Sequence, residues 1–199
     1  MRIVQRNEIG TILRMILLEI FATKENKIMK ITDKHVFFYT EWPSNFRKTS
    51  FTFEAFGETH RFFCTEQAFM WCKAMYFNDT IIAEKILEEK SNPMTCKKFG
   101  RLVRGYNDDK WKLVRYSFML DVNFARFTQD KNLKEKLLNP EYDGKTFVEA
   151  SPTDRIWGIG IGENDLDIDD EKHWFGQNLL GKVLTEVRDY IKHDELNKS

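Results

Sequence analysis

The rhythm of apolar and polar positions changes several times along this chain, and each change marks an element. Lys34 to Thr40 (Lys-His-Val-Phe-Phe-Tyr-Thr) reads as a strand, and Glu41-Trp42-Pro43-Ser44-Asn45-Phe46 then carries turn chemistry. Ser50 to Phe56 alternates Phe51 and Phe53 with hydrophilic neighbours, a second strand. Gly57-Glu58 turns it back into His60-Arg61-Phe62-Phe63, a hairpin partner. At Thr65 the period becomes helical. Thr65 is placed to cap a helix that runs to Tyr76. Asn78-Asp79 begin another helix through Lys90. Asn92-Pro93 start a short one, with proline where its missing N–H costs nothing, and Gly100 ends it.

Asp108 opens a long helix carrying Trp111, Val114, Arg115, Phe118, Met119, Val122 and Phe127, and Asn132 caps another to Leu138. Phe147-Val148-Glu149 has the look of a short central strand. Ser151-Pro152-Thr153-Asp154-Arg155 is a loop, Ile156 to Gly162 is a glycine-rich extended run, and Gly162 to Asp170 is an acidic exposed loop. Asn178 caps a final helix to Ile191, with Leu179, Leu180, Val183, Leu184 and Val187 as its buried stripe. The expected fold is α+β, predominantly helical, one domain with a small antiparallel sheet and a buried helical core. Its expected bounds are residues 31–193, with residues 1–30 as an N-terminal extension and 194–199 as a tail. In the extension, Leu13, Ile16, Leu17 and Ile20 follow helical spacing and predict an amphipathic helix that packs on the domain or on a partner. Arg14 and Glu19 interrupt the apolar run, which is too short to span a bilayer, and no small-residue cleavage site follows it.

Composition narrows the function. With 199 residues and 42% hydrophobic content the chain suits one substantial core. The 17 Phe and 5 Trp make any pocket wall aromatic. Lys+Arg and Asp+Glu both number 31, so no global field holds a nucleic-acid backbone, although a local basic pocket for a phosphate remains open. Cys64, Cys72 and Cys96 are odd in number and lack metal spacing, as do the histidines His35, His60, His173 and His193. Buried thiols, a reducing cytoplasmic setting, no metal and no membrane are expected.

The sharpest local signal is Thr65-Glu66-Gln67-Ala68-Phe69-Met70-Trp71-Cys72-Lys73. Glu66 and Lys73 lie seven positions apart, about 20° short of two full turns, with Phe69 and Met70 on the ridge between them. An acid and an amine on an otherwise apolar face are either a structural ion pair or a site with shifted pKa values.

Taken together the landmarks resemble the NADAR family, which includes the YbiA-like N-glycosidases. The carriers are Ser44-Asn45-Phe46, Glu66 to Lys73, Phe77-Asn78-Asp79, Gly100-Arg101, Trp111 with Arg115, and Lys131-Asn132-Leu133. They continue through Leu137-Leu138, Val148-Glu149-Ala150-Ser151, Asp154 to Gly160 and Trp174-Phe175-Gly176-Gln177-Asn178-Leu179-Leu180-Gly181-Lys182, and Arg188 closes the set. The resemblance begins near His35. Gln67 and Met70-Trp71-Cys72 depart from the family's usual residues and bear on substrate identity.

The resemblance implies hydrolysis of a bond from ribose C1′ to nitrogen, with no cofactor. Two substrate classes follow: phosphorylated ribosylamino-pyrimidine intermediates of riboflavin biosynthesis, and ADP-ribose on guanine, including ADP-ribosylated nucleic acid. In both the ribose hangs on an exocyclic amine. Glu66 is then expected as general acid/base in a pocket of Phe69, Trp157 and Trp174. Lys73 is either a Schiff-base nucleophile or a substrate clamp. Asp154 binds ribose hydroxyls or orients water, or else only shapes its loop. Asn45 and Phe46 read as base or ribose contacts, and Arg101 as a phosphate contact. Gly158 reads as a point of close backbone approach. Gly176 and Asn178 read as a phosphate site at a helix N-terminus, or Asn178 as an ordinary cap. A non-catalytic ADP-ribose or nucleotide-binding module is the competing class.

Overall fold

The structure, a computed structural model, describes residues 29–197, so the helix expected in residues 9–21 lies outside the described residues. Five strands form two sheets. β1 (Lys30–Ile31), β2 (His35–Phe38) and β5 (Thr146–Glu149) make a three-stranded sheet in the order β1-β2-β5. β1 pairs antiparallel with β2, and β2 pairs parallel with β5, setting Val36 opposite Phe147 and Phe38 opposite Glu149. The parallel pair joins segments that the sequence leaves far apart, and it puts β5 at the sheet edge rather than its centre. β3 (Phe51–Ala55) and β4 (Glu58–Phe62) form the expected antiparallel hairpin. Its turn is one residue earlier than expected: Phe56 and Gly57 both have positive φ, and Glu58 already pairs with Ala55. Two successive left-handed residues give a turn whose twist matches the strands.

Six helices pack around the sheets among the described residues: α1 (Thr65–Tyr76), α2 (Thr80–Glu88), α3 (Pro93–Arg101), α4 (Asp108–Gln129), α5 (Lys131–Leu137) and α6 (Leu179–Leu196). α1 is the hub, buried nearly all round and packed on α2, α3 and α4. Its cap is Cys64, whose Sγ accepts from the Gln67 amide, and Thr65 is the first helical residue. Gln67 is fully used by the scaffold. Its Oε1 accepts from the Phe63 amide, and its Nε2 donates to the carbonyls of Ile86 and Glu89, locking the end of α2. Trp71 and Cys72 are core residues, so the departures from the family pattern lie in packing. Gly100 does not end α3. It sits inside the helix, where a Cβ would fall 2.0 Å from Met70 Sδ. The cap of α5 is Asp130 instead of Asn132, because its Oδ1 reaches the Leu133 amide.

The alternation of β2 and β5 divides the interior in two. Val36, Phe38 and Phe147 face the main core with Phe69, Trp111, Phe127 and the stripe Leu180, Val183, Leu184, Val187 of α6. Phe37 and Val148 face a smaller cluster with Ala150, Ile159, Ile161 and Ile168, covered by the long loop after β5. The three cysteines are buried free thiols, as their spacing implied.

Candidate active site

Glu66 occupies the first turn of α1, and the loop before β3 sits directly on that helix end. The Glu66 amide donates to the carbonyl of Asn45 at 3.1 Å. Arg126 of α4, fully buried, holds this loop by donating to the carbonyls of Trp42, Pro43 and Ser44. Burial pulls its pKa down to about 10, and those carbonyls give the guanidinium its compensation. Nothing in the local sequence marks Arg126, because its partners lie some eighty positions away.

The Glu66 side chain is 5% exposed, and no hydrogen bond or ion pair reaches its carboxylate among the described residues. Burial pushes its pKa up to about 7; Asp154 adds to the rise, and Lys97, Arg101 and Lys73 oppose it. The structural ion pair with Lys73, one of the two readings of this helix face, does not form among the described residues. Lys73 Nζ donates to the carbonyl of Gly100 at 2.8 Å and lies 4.0 Å from the ring centroid of Tyr106. Lys73 is half-buried, and desolvation pulls its pKa down, as does Arg101, while Asp108 and Glu66 push it up.

The other walls come from α3, β5 and the loop after it. Lys97 lies 5.3 Å from the Phe46 ring, which places Phe46 beside the cation nearest in effect to Glu66. Arg101, at the end of α3, is exposed, and its charge acts on both Glu66 and Lys73. Asn45 is buried with its Oδ1 unpartnered among the described residues, while its Nδ2 meets Met119 Sδ. Asp154 Oδ1 accepts from the amides of Ile156 and Trp157, so the Asp turn is real. That turn aims the Trp157 ring edge-on at Phe69, with centroids 5.1 Å apart.

The structure brings together Glu66, Lys73, Asp154, Asn45, Phe46, Arg101 and Trp157, and it removes Trp174, Gly176 and Asn178 from the expected set, while Gly158 makes its close backbone approach to β5. Trp174 lies in the smaller cluster on the far face of the sheet, 5.2 Å from the His35 ring, with its Nε1 donating to the Ile168 carbonyl. Of the three expected aromatic walls, Phe69 and Trp157 remain. The phosphate site at the start of α6 is already filled by protein. The amides of Gln177, Asn178, Leu179 and Leu180 donate to the carbonyls of Arg155, Gly158, Ile156 and Trp157. Asn178, at φ 51°, makes no side-chain cap; its amide bridges the Phe147 carbonyl and the Glu149 N–H. A Cβ on Gly176 would fall 2.2 Å from the Gly158 carbonyl, and one on Gly158 would fall 2.9 Å from the Glu149 carbonyl. These residues lock the loop onto the sheet and helix. Arg104, just past α3, pairs with Asp79 at 2.7 Å, and the Trp111 ring stacks on Phe118.

One acid escaped the sequence reading. Glu149 projects from β5 on the same face as Phe147, and its Oε2 is closed to solvent with no hydrogen-bond partner among the described residues. Burial pushes its pKa up to about 8, Asp154 and Glu66 raise it further, and Lys97 opposes them. Read locally, Glu149 is a polar strand end. The parallel register with β2, which turns it inward, is the signal that was needed.

The NADAR domain model matches residues 21–192. An N-glycosidase of Acanthamoeba polyphaga mimivirus is 37% identical over 171 residues, covering 79% of this chain and 96% of the relative. Protein irg-1 of Caenorhabditis elegans is 39% identical over 133 residues, or 66% of this chain and 61% of that protein. An N-glycosidase of Nostoc punctiforme is 27% identical over 108 residues, covering 54% of this chain and 61% of the relative. The solution structure of Escherichia coli YbiA superimposes with a TM-score of 0.63 at 25% identity, covering 86% of this chain and 93% of that one. Fold and sequence agree that this chain belongs to the NADAR family.

Proposed function

We propose that the protein is a metal-independent N-glycoside hydrolase that cleaves the bond between ribose C1′ and an exocyclic amine. The observation that carries this reading is Glu66, a buried carboxyl without a protein partner, kept close to neutrality and flanked by an amine of depressed basicity. A carboxyl near neutrality both holds and gives up a proton at working pH, which is what general acid–base catalysis needs. The relatives named N-glycosidases support the reaction class. Lys73, less basic than a free lysine, attacks C1′ and takes the place of the departing base, and the lysyl glycosylamine so formed opens to a Schiff base at C1′. Water then clears the Schiff base. Asp154 keeps one oxygen for ribose hydroxyls while the other shapes the loop.

The substrates that fit this chemistry are ribosylamino-pyrimidine phosphates and ADP-ribosylated guanine. Lys97 and Arg101 supply local positive charge for a phosphate. A paired turnover assay decides between the two. One arm holds a ribosylamino-pyrimidine phosphate and the other an oligonucleotide ADP-ribosylated on guanine. Release of ribose phosphate or of ADP-ribose assigns the substrate. Silence in both arms with ligand still bound makes the protein a binding module. Borohydride during turnover is expected to leave a reduced adduct on Lys73. Substrate consumed without an adduct makes Lys73 a clamp.

A further inference from the structure

Glu149 is a half-buried acid with one carboxyl oxygen closed to solvent, and the chemistry above leaves it unused. Its backbone is firmly anchored: its N–H donates to Asn178 Oδ1 at 3.0 Å, and its carbonyl accepts from the amides of Ser151 and Ile159. The same fold-back packs Gly158 against the Glu149 and Asp154 carbonyls, which carries Asp154 over the end of β5. The carboxyl itself has no such support, since its Oε2 is sealed from solvent and unbonded among the described residues. A buried polar group without a partner is a cost that folding alone does not explain. The charges acting on it come from every neighbouring wall: Glu66 on α1, Lys97 on α3, and Asp154 on the loop after β5.

We propose that Glu149 is the acid that protonates the departing nitrogen, with Glu66 as the base that takes the proton of the incoming nucleophile. This rests on the N-glycosidase reading above. In the first step the bond from C1′ to the leaving nitrogen breaks, its electron pair stays on that nitrogen, and the nitrogen takes the proton of the Glu149 carboxyl. The Lys73 amine bonds to C1′ and passes a proton to Glu66. In the second step water adds to C1′ and gives its proton to Glu149, while Glu66 returns a proton to the Lys73 nitrogen as it leaves. Both acids and the amine end as they began. Two acids whose surroundings set their pKa values apart divide such labour naturally, the higher serving as the acid. Here the Glu66 charge is one of those that raise the Glu149 carboxyl, so an ionised Glu66 acting as base keeps Glu149 protonated as acid.

The test is single-turnover kinetics of the wild type and Glu149→Gln on two probes. A ribosylamino-pyrimidine phosphate has a leaving amine that needs a proton, whereas a nitrophenyl riboside phosphate releases a phenolate that needs none. Glu149→Gln is expected to slow release of the amine by about 100-fold or more and to abolish its fall in rate on the alkaline side. Release of nitrophenolate is expected to be unchanged. The wild type alone gives a second readout: the alkaline fall is present with the amine probe and absent with the nitrophenyl probe. Equal slowing on both probes with the alkaline fall intact would make Glu149 structural and overturn the proposal. Wild-type rates in the variant at every pH would also overturn it. A folded wild type that turns over neither probe removes the N-glycosidase reading itself, and this proposal with it.

Discussion

The two faces of the β1-β2-β5 sheet treat buried ionisable groups in opposite ways. On the far face His35 is 1% exposed, yet both ring nitrogens have a carboxylate oxygen, Asp169 at 2.7 Å and Glu171 at 3.1 Å. Thr32 Oγ1 donates to the same Asp169 oxygen at 2.7 Å, and the Trp174 ring packs against the imidazole. On the near face Glu66 and Glu149 are inward-facing acids with no hydrogen bond to either carboxyl among the described residues. The far face gives its imidazole two carboxylate partners and so pins the acidic loop to the sheet. The near face keeps two acids unsatisfied, which destabilises the fold and suits proton transfer. Partners, more than burial, separate the scaffold from the site.

The largest test of this contrast uses pH. An isolated glutamate titrates at 4.5, and folded Glu66 at about 7. Below pH 4.5 the carboxyl is neutral in both folded and unfolded states. As pH rises toward 7 the unfolded chain ionises first, so stability falls, and the decline levels off above the folded pKa. The shift corresponds to about 3 kcal/mol. Glu149, raised in the same way, contributes its own decline, so Glu66→Gln is expected to show a smaller decline than wild type and to be more stable than wild type at pH 8, as urea titrations at two pH values will show. If the wild type is equally stable at pH 5 and pH 8, the near face is not strained by its acids.

The next effect separates a locked loop from a ligand cradle. Gly176→Ala forces a Cβ toward the Gly158 carbonyl, 2.2 Å away, and is expected to cost about 3 kcal/mol. A melt near wild type combined with weakened phosphate binding would restore the cradle. A smaller effect is expected on the far face. His35→Ala leaves two carboxylates without their partner and should cost about 1–3 kcal/mol while kcat stays at the wild-type value. A large loss of kcat with intact stability would mean that the far face also takes part in chemistry. The smallest effect concerns residues 1–29. On the proposed domain bounds of 31–193, their removal should leave kcat/KM unchanged in a steady-state assay, and a loss would move the start of the domain toward residue 21, where the family match begins.

Much of this arrangement is legible in the sequence. Seven-residue spacing put Glu66 and Lys73 on one helical face, and turn chemistry put Asp154 ahead of Trp157, since both depend on near neighbours. What failed depends on distant ones. Trp174 was assigned to the wrong wall because the face it covers is set by the alternation of β2 and by a pairing of His35 with Thr146. Gly176 and Asn178 carry the local marks of an anion site, but the 155–158 carbonyls reach those amides first. Thr65 and Asn132 are good capping residues one and two positions late, where Cys64 and Asp130 hold the actual caps. Glu149 was hidden by a parallel pairing that no short-range pattern announces.

The central claim is that the unsatisfied acids of the near face carry the reaction, and its most direct test is turnover of an N-ribosyl substrate by Glu66→Gln. The variant is expected to bind the substrate and to lose about 100-fold or more in kcat, with a raised melting temperature at pH 8. Wild-type turnover by the folded variant would contradict the account.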